Sequence, residues 1–334
     1  MHELAVVLSG HSLSQAQTEK LFGHLISGQL TDAQIAGLLM AMKIRGELPE
    51  EIAGAARALR AGAKPFPRPE QRLADTCGTG GDGSNTINIS TSAALVAASM
   101  GMPIAKHGNR SVSSRSGSAD VLEVLGVPLE GSPDDNRRLL DQYGFCFLFA
   151  PHYHPGVRYA MPARQELKTR TLFNLLGPLI NPARPDIQLL GVYDPALCAP
   201  VAETLRLLDC PRAMVVHGSG LDELALHGQT TVTELQDGEL THYQLSPEDF
   251  GVPRSDISAL RGGDAEKNAR LLSAVFGGAG DAAHRHAIAM NVAAISFMNG
   301  RVSSLKEGTQ EALEHLSSGK ALEHLYALQE AARA

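Results

Sequence analysis

The chain has 334 residues, 43% hydrophobic and 19% charged, which is long enough for two domains and excludes a disordered chain. A formal net charge of -7 argues against general affinity for nucleic acid or anionic membranes. No apolar run approaches the roughly 18 residues of a membrane span, and the N-terminus lacks a signal-peptide pattern. The four cysteines are widely spaced without a CxxC pair, so we expect reduced thiols in a cytoplasmic protein.

Residues 1 to about 65 show apolar positions at helical spacing, for example Leu21, Phe22 and Leu25. Thr31 with Gln34 forms a capping-box pattern, and Pro49 precedes two acids, as at helix starts. The proline-rich stretch 64–72 interrupts this pattern. We therefore predict a helical domain over residues 1–70.

From Leu73 onward, short β-prone runs alternate with helical segments, at 103–108, 145–150, 187–192 and 213–218. This alternation predicts an α/β fold with a small N-terminal helical domain and a larger α/β domain, residues 71–334, around a mostly parallel central sheet. Two strand-like runs separated by Asp237 and Gly238 predict a type I′ hairpin at the sheet edge. The last seventy residues predict helices over 268–276, 284–298 and 312–328.

The most informative segment is DTCGTGGDGSNTINIST, residues 75–91, in which four glycines follow a predicted strand and precede a helix. Glycines let a backbone approach an anion closely, so that amide groups and the helix N-terminus point at phosphate oxygens. The segment has neither the GK[ST] ending nor the GxGxxG spacing of common nucleotide loops. A flexible connector is the alternative, but the hydroxyl and amide groups of Thr86, Asn88, Ser90 and Thr91 favour a diphosphate site.

A second segment, residues 106–126, begins KHGNRSVSSRSGS and follows the next predicted strand. Its three cations and many hydroxyl groups are what a polyanion requires at the carboxyl end of a strand. The alternative is a solvated charged turn, but the segment consists mainly of small polar residues rather than mixed Lys and Glu.

The third segment is GSGLDELAL, residues 218–226, where Asp222 and Glu223 follow another predicted strand. Adjacent acids are usually ordinary surface residues. Opposite a diphosphate, however, two carboxylates together with the Ser90 hydroxyl are ligands for Mg²⁺, which completes its shell with phosphate oxygens and water.

Together these motifs resemble those of the anthranilate phosphoribosyltransferase family, whose class shares its fold with pyrimidine nucleoside phosphorylases. The resemblance covers nearly the whole chain in the family's order: GTGGDG at 78–83, NIST at 88–91, KHGNR at 106–110, SGSADVLE at 116–123, RTLFNLLGPLINP at 170–182 and LDE at 221–223. It implies a helical domain completed by residues near 165–180, an active site in the cleft between the domains, and a homodimer formed through the helical domains.

The resemblance also implies roles for individual residues. Phosphoribosyl pyrophosphate is expected to bind at Gly78, Gly81, Asp82, Thr86, Asn88, Ser90, Thr91, Lys106, Asn109, Arg110, Ser114 and Ser118. Mg²⁺ is expected at Ser90, Asp222 and Glu223, and anthranilate at Gly78, His107, Asn109, Arg164 and Gly177. Lys106, Asp222 and Glu223 are the expected catalytic residues.

Arg164 also fits this role on chemical grounds, because a planar guanidinium matches a carboxylate in bidentate fashion. A salt bridge with Glu166 is the alternative. Two positions depart from the family pattern: Lys168, where a glycine is common, and Ser219, where an aspartate is frequent.

We expect transfer of a 5-phosphoribosyl group to the amine of anthranilate, a step of tryptophan biosynthesis, without a covalent enzyme intermediate. A nucleoside phosphorylase is one alternative, but the glycine-rich segment and the acidic pair fit a metal-bound diphosphate better than inorganic phosphate. The other alternative is a non-catalytic relative that binds nucleic acid, which the net charge of -7 disfavours. We expect small-molecule substrates and no nucleic-acid or membrane partner.

Overall fold

The computed structural model describes residues 2–111 and 115–331. The chain begins with four helices: α1 (His2–Leu8), α2 (Gln15–Ile26), α3 (Asp32–Arg45) and α4 (Pro49–Ala61). Capping boxes at Ser14 and Thr31 start α2 and α3, because each hydroxyl accepts a bond from a backbone N–H three residues on. The predicted helix starts at Thr31 and Pro49 are confirmed.

Seven strands follow in the residues that the structure describes: β1 (Ala74–Gly78), β2 (Ile104–Gly108), β3 (Phe145–Phe149), β4 (Ile187–Gly191), β5 (Arg212–Gly218), β6 (Thr230–Gln236) and β7 (Glu239–Leu245). Their order in the sheet is β3-β2-β1-β4-β5-β6-β7, with β1 to β5 parallel and the last two strands antiparallel. Asp237 and Gly238 have φ of 50° and 87° between β6 and β7, as a type I′ turn requires. The predicted hairpin at the sheet edge is confirmed.

Eleven further helices occur in the described part of the chain: α5 (Ile89–Ser99), α6 (Ser118–Val124), α7 (Pro133–Tyr143), α8 (Ala150–Tyr153), α9 (Met161–Leu167), α10 (Phe173–Leu179), α11 (Cys198–Leu207), α12 (Ala265–Phe276), α13 (Ala282–Met298), α14 (Leu305–Ser317) and α15 (Lys320–Ala331). The prediction of a single helix over 312–328 is wrong. The helix is interrupted between α14 and α15 at Gly319, whose φ of 77° is incompatible with a continuous right-handed helix.

Apolar side chains pack on both faces of the sheet. On one face, Ile104, Phe147 and Leu189 share a core with the buried residues of α5 and α13. On the other, Leu190 and Val215 share a core with α1 to α4, α10 and α11. The small N-terminal helical domain and the larger α/β domain are therefore both present, and α10 packs with the N-terminal helices. The division at residue 70, with residues near 165–180 completing the helical domain, stays our proposal.

The topology determines where a ligand site can form. β1 lies between β2 and β4, so the chain leaves β1 in one direction for β2 and later returns to its other side. Ligands of open α/β sheets bind at the carboxyl ends of strands near such a reversal. The three segments singled out from the sequence follow β1, β2 and β5.

Candidate active site

The glycine-rich loop connects β1 to α5. Three of its glycines lie in the left-handed region, with φ of 72°, 80° and 74°: Gly80, Gly81 and Gly83. This conformation is sterically costly for residues with a side chain, which explains the glycines. The Asp82 carboxylate folds back onto the same loop, where it accepts hydrogen bonds from the Ser84 backbone N–H (3.0 Å) and hydroxyl (2.9 Å).

Asp222 and Glu223 contact this loop and the helix that follows it. One carboxylate oxygen of Asp222 accepts a bond from the Gly80 N–H at 2.6 Å. A carboxylate oxygen of Glu223 accepts a bond from the Ser90 N–H at 3.0 Å, in the first turn of α5. The Asp222 N–H also lies 3.4 Å from a carboxylate oxygen of Asp82. The acidic pair, the glycine-rich loop and the N-terminus of α5 therefore form one site.

Asp222 reaches this position by crossing the end of β4. A Cβ atom at Gly191, the last residue of β4, would overlap the Asp222 backbone, and one at Gly78 would overlap the Asp222 carboxylate. Only glycine at these two paired positions lets the segment after β5 approach β1. Gly191 was not identified from the sequence, because nothing local distinguishes it from an ordinary turn residue.

The charges of the acidic pair are poorly compensated. Burial raises the pKa of Asp222 well above its usual value, and the nearby charges of Asp82 and Glu223 raise it further. Burial likewise raises the pKa of Glu223 to about 7, although the Ser90 N–H and the Lys106 ammonium group oppose this shift. Because burial disfavours the charged forms of these two carboxylates, a bound cation would stabilise them.

No three His, Cys, Asp or Glu side chains of residues 2–111 and 115–331 are grouped so that they alone would hold a metal. Mg²⁺ rarely needs such a group, because it usually keeps several waters and takes other oxygens from substrate phosphates. Two carboxylates beside an anion-binding loop therefore fit Mg²⁺ bound together with a diphosphate.

Lys106 lies on β2 and is only 1% exposed. Its Nζ atom donates a bond of 2.5 Å to the carbonyl of Thr76 on β1. Burial raises the pKa values of Asp75 and Glu223, and the Lys106 charge opposes both shifts, so the ammonium group lies within electrostatic range of Glu223. The second sequence segment thus meets the first and the third.

His107 lies on the other face of β2 and connects the strand to α10. Its Nδ1 atom is 3.0 Å from the carbonyl of Gly177, and its ring meets the ring of His154 edge-on at 5.1 Å between ring centres. Its Nε2 atom has no partner in the described residues. Burial, followed by the neighbouring His154, lowers the pKa of His107 to about 3, so this imidazole is neutral at pH 7.

The segment after β2 folds back on itself. The Ser118 hydroxyl donates to the Asn109 carbonyl at 3.2 Å, and the Arg110 N–H donates to the Asn109 side-chain oxygen at 2.7 Å. The Arg110 guanidinium pairs with Glu123 at 2.7 Å and Asp120 at 3.2 Å. A phosphate contact from Arg110 would therefore compete with two carboxylates. Ser114 lies outside the described residues.

Asn88 links the first two segments, because its side-chain nitrogen donates to the Ser116 carbonyl at 3.1 Å. Its side-chain oxygen accepts from the Asn268 amide on α12 at 2.8 Å. Thr86 forms an isolated bridge with Arg261, and Thr91 is buried in the first turn of α5. The structure therefore brings residues 78–91, the described parts of the second segment (106–111 and 115–118) and residues 222–223 together.

Arg164 lies on α9, and its guanidinium carbon is 5.0 Å from the ring centre of Phe173. Burial lowers the pKa of Arg164. The alternative salt bridge with Glu166 is absent, and no ion pair of Arg164 occurs in the described part of the chain. Its charge is thus not neutralised by a carboxylate of those residues, and no hydrogen bond or ion pair among them joins its side chain to the three segments.

A buried polar pair behind the site was missed from the sequence. Asp75 on β1 is fully buried and accepts a bond of 2.8 Å from the Asn181 amide, which also donates to the Ala105 carbonyl at 2.8 Å. Asn181 thereby ties β1 to β2 next to His107. Both residues belong to segments already quoted, DTCGTGG and LINP, but hydrophobic patterning does not reveal a polar partner a hundred residues away.

The chain matches two family models, the glycosyl transferase family helical bundle domain over residues 4–63 and the glycosyl transferase family a/b domain over residues 70–322. The anthranilate phosphoribosyltransferase of Idiomarina loihiensis is 59% identical over 99% of this chain and 98% of its own length. The enzyme of that name from Aeromonas salmonicida is 54% identical over 96% of both chains.

Solved structures agree with these relatives. The anthranilate phosphoribosyltransferase of Thermus thermophilus superposes with a TM-score of 0.95 at 43% identity, covering 100% of both chains. The Saccharomyces cerevisiae enzyme in complex with phosphoribosyl pyrophosphate and Mg superposes with a TM-score of 0.91 at 29% identity, covering 99% of this chain and 97% of that one.

Proposed function

The chain belongs to the anthranilate phosphoribosyltransferase family, and on this basis we propose that it transfers the 5-phosphoribosyl group of phosphoribosyl pyrophosphate to anthranilate. The products are N-(5-phosphoribosyl)anthranilate and pyrophosphate, and the reaction belongs to tryptophan biosynthesis. The observation that carries the proposal is the contact of the acidic pair with the glycine-rich loop and the N-terminus of α5. The named relatives favour this reaction over a nucleoside phosphorylase or a nucleic-acid-binding protein.

We assign the donor site to the residues that the family resemblance implies: Gly78, Gly81, Asp82, Thr86, Asn88, Ser90, Thr91, Lys106, Asn109, Arg110, Ser114 and Ser118. Left-handed glycines and the start of α5 suit oxygen atoms of a diphosphate. Asn88 contributes by holding the first two segments together. Arg110 must exchange at least part of its pairing with Glu123 for phosphate.

Mg²⁺ is assigned to Ser90, Asp222 and Glu223, whose oxygen donors and poorly compensated carboxylates fit a hard cation. When bound, the ion would supply Lewis-acid neutralisation of the charge on pyrophosphate. Lys106, which is buried and fixed by the Thr76 carbonyl, adds a positive charge at the same edge of the sheet.

The reaction forms a bond between the anthranilate nitrogen and the anomeric carbon while the bond from that carbon to pyrophosphate breaks. Lys106 and the loop amides stabilise the negative charge that develops on the leaving group. Arg164 and Asn109 hold the acceptor, with Gly78, His107 and Gly177 beside it, so that the amine faces the anomeric carbon. An aromatic amine is already unprotonated at pH 7, and its extra proton leaves to water after attack, so no strong general base is needed.

The test is an assay of anthranilate fluorescence loss with phosphoribosyl pyrophosphate and Mg²⁺. The wild type is expected to consume anthranilate, and the double variant Asp222→Asn/Glu223→Gln to lose at least about a hundredfold in turnover at limiting Mg²⁺. Asp237→Asn/Glu239→Gln removes two charges from the distant β6–β7 hairpin and serves as the control. Wild-type turnover in the Asp222/Glu223 variant would refute the metal assignment.

We further propose a cytoplasmic homodimer that associates through its helical domains. Support for the dimer comes from apolar side chains left exposed there: Ile44 at 80%, Leu8 at 54% and Leu48 at 43%. All four cysteines are free thiols, as is usual in reducing compartments. No helix among the described residues is long and apolar enough to cross a membrane.

A further inference from the structure

Arg170 contacts the glycine-rich loop, and neither substrate has been assigned to Arg170 itself. We propose that Arg170 is a positioning residue that, together with Tyr193, holds the glycine-rich loop in the shape that binds the diphosphate. This inference rests on the proposed function of the loop as the donor site.

The first contact is direct. A guanidinium nitrogen of Arg170 donates a hydrogen bond to the carbonyl of Gly81. A Cβ atom at Gly81 would be within 3.5 Å of that nitrogen, so the guanidinium lies against the loop at this residue. The Gly81 carbonyl and the Asp82 N–H belong to one planar peptide group. The bond from Arg170 to the carbonyl therefore also fixes the direction in which the Asp82 N–H points.

Tyr193 provides the second contact. The guanidinium carbon of Arg170 lies 4.0 Å from the ring centre of Tyr193, within the range of a cation–π contact. The Tyr193 N–H donates to the Thr79 hydroxyl at 3.2 Å, and the Thr79 N–H donates to the Gly191 carbonyl at 2.9 Å. The loop is therefore held at Thr79 by the end of β4 and at Gly81 by an arginine stacked on the same tyrosine.

Arg170 is also connected to the helical domain. The adjacent Thr169 bonds to Lys43 on α3, and Arg170 has no carboxylate partner in the described part of the chain. The guanidinium group of Arg170 thus interacts with the Gly81 carbonyl and the Tyr193 ring. This chain of contacts joins the segment that carries Arg164 and Gly177, on the acceptor side, to the donor loop.

The experiment measures the Kd of phosphoribosyl pyrophosphate with Mg²⁺ by calorimetry, and the KM and kcat for both substrates. Arg170→Ala and Tyr193→Ala should each raise the Kd and KM of phosphoribosyl pyrophosphate about tenfold, the loss expected from one partly desolvated cation–π contact. The KM of anthranilate should change less than about twofold. The double variant should be no worse than the poorer single variant, because both changes break one unit.

Conservative variants separate positioning from direct binding. Tyr193→Phe keeps the ring and should retain wild-type affinity. Arg170→Lys keeps the charge but loses the planar stacking and fork geometry, so it should remain close to Arg170→Ala. Arg254→Ala, which removes an exposed arginine paired with Glu248 far along the chain, is the control and should match the wild type.

Wild-type affinity in Arg170→Lys, or in Tyr193→Ala, would overturn the inference, because Arg170 would then act as a simple cation or not at all. Thermal unfolding identifies any variant that fails to fold, and Arg170→Lys still decides the matter in that case. A wild-type protein that neither binds phosphoribosyl pyrophosphate nor consumes anthranilate would refute the proposed function itself. A fully active wild type with unaffected variants would refute only the role of Arg170.

Discussion

Arg164 carries its charge beside the ring of Phe173 without a carboxylate partner in the described residues. If it binds the anthranilate carboxylate, Arg164→Ala should raise the KM of anthranilate about 10- to 100-fold, the effect of losing a charge-assisted hydrogen bond. Arg164→Lys should restore only part of this, because lysine lacks the bidentate fork. The measurement is steady-state kinetics, with Arg206→Ala as the control. An unchanged KM for anthranilate would exclude Arg164 from the site.

His154 predicts a dependence of stability on pH. Burial lowers the pKa of His154 from 6.5 to about 4, so the unfolded chain takes up this proton first as the pH falls. The contribution of His154 to the free energy of unfolding should therefore be full above pH 6.5 and fall by up to about 3 kcal/mol as the pH drops to 4. His107, whose pKa is also lowered, acts in the same direction.

Urea unfolding of the wild type and His154→Gln between pH 4 and 8 measures this contribution. The difference in free energy of unfolding between the two proteins should shrink toward acid pH, since glutamine does not titrate. The exposed His11, changed to Gln, is the control. A pH-independent difference between the wild type and His154→Gln would contradict the prediction.

Helix α9 ends at Lys168, whose left-handed backbone conformation is unfavourable for a residue with a Cβ atom. Lys168 has φ 46° and ψ 35° and closes the helix with a bond of 3.3 Å from its N–H to the Arg164 carbonyl. This left-handed position is where glycine caps helices, and Lys168 is one of the two departures from the family pattern seen in the sequence. The other departure, Ser219, also has a positive φ, of 50°.

Lys168→Gly should therefore increase the free energy of unfolding by about 1 kcal/mol, because glycine adopts this conformation without steric cost. Chemical denaturation measures the change. Lys168→Ala is the control and should leave stability nearly unchanged, since alanine keeps the Cβ atom. A loss of stability in Lys168→Gly would show that the lysine side chain contributes more than its backbone conformation costs.

At the scale of the whole molecule, Ile44 is 80% exposed. We therefore expect a substitution at Ile44 to disrupt the proposed dimer. Ile44→Glu should place a charge in the interface and shift the protein toward a monomer of half the mass, since an unpaired buried charge is strongly unfavourable. Light scattering coupled to gel filtration measures the mass. The exposed Tyr326 on α15, changed to Glu, is the control. A dimeric Ile44→Glu protein, or a monomeric wild type, would contradict the proposal.

The sequence by itself determined what depends on local chemistry. Hydrophobic periodicity, capping residues such as Thr31 and the Asp237–Gly238 turn predicted the helices, strands and hairpin, because each reflects the preferences of neighbouring residues. The glycine-rich loop and the adjacent acids of the LDE motif were likewise visible, since close backbone approach and metal binding demand particular residue types. The fold class and the family followed from the order of these motifs.

Only the tertiary structure decided which residues hold the site together. Gly191 matters because Asp222 crosses the end of β4, Asn181 because it meets Asp75, and Tyr193 because Arg170 stacks on it. Each of these contacts joins positions far apart along the chain, and no local preference encodes such a partner. The order of the strands creates them, and that order is set by packing the whole sheet between its two layers of helices.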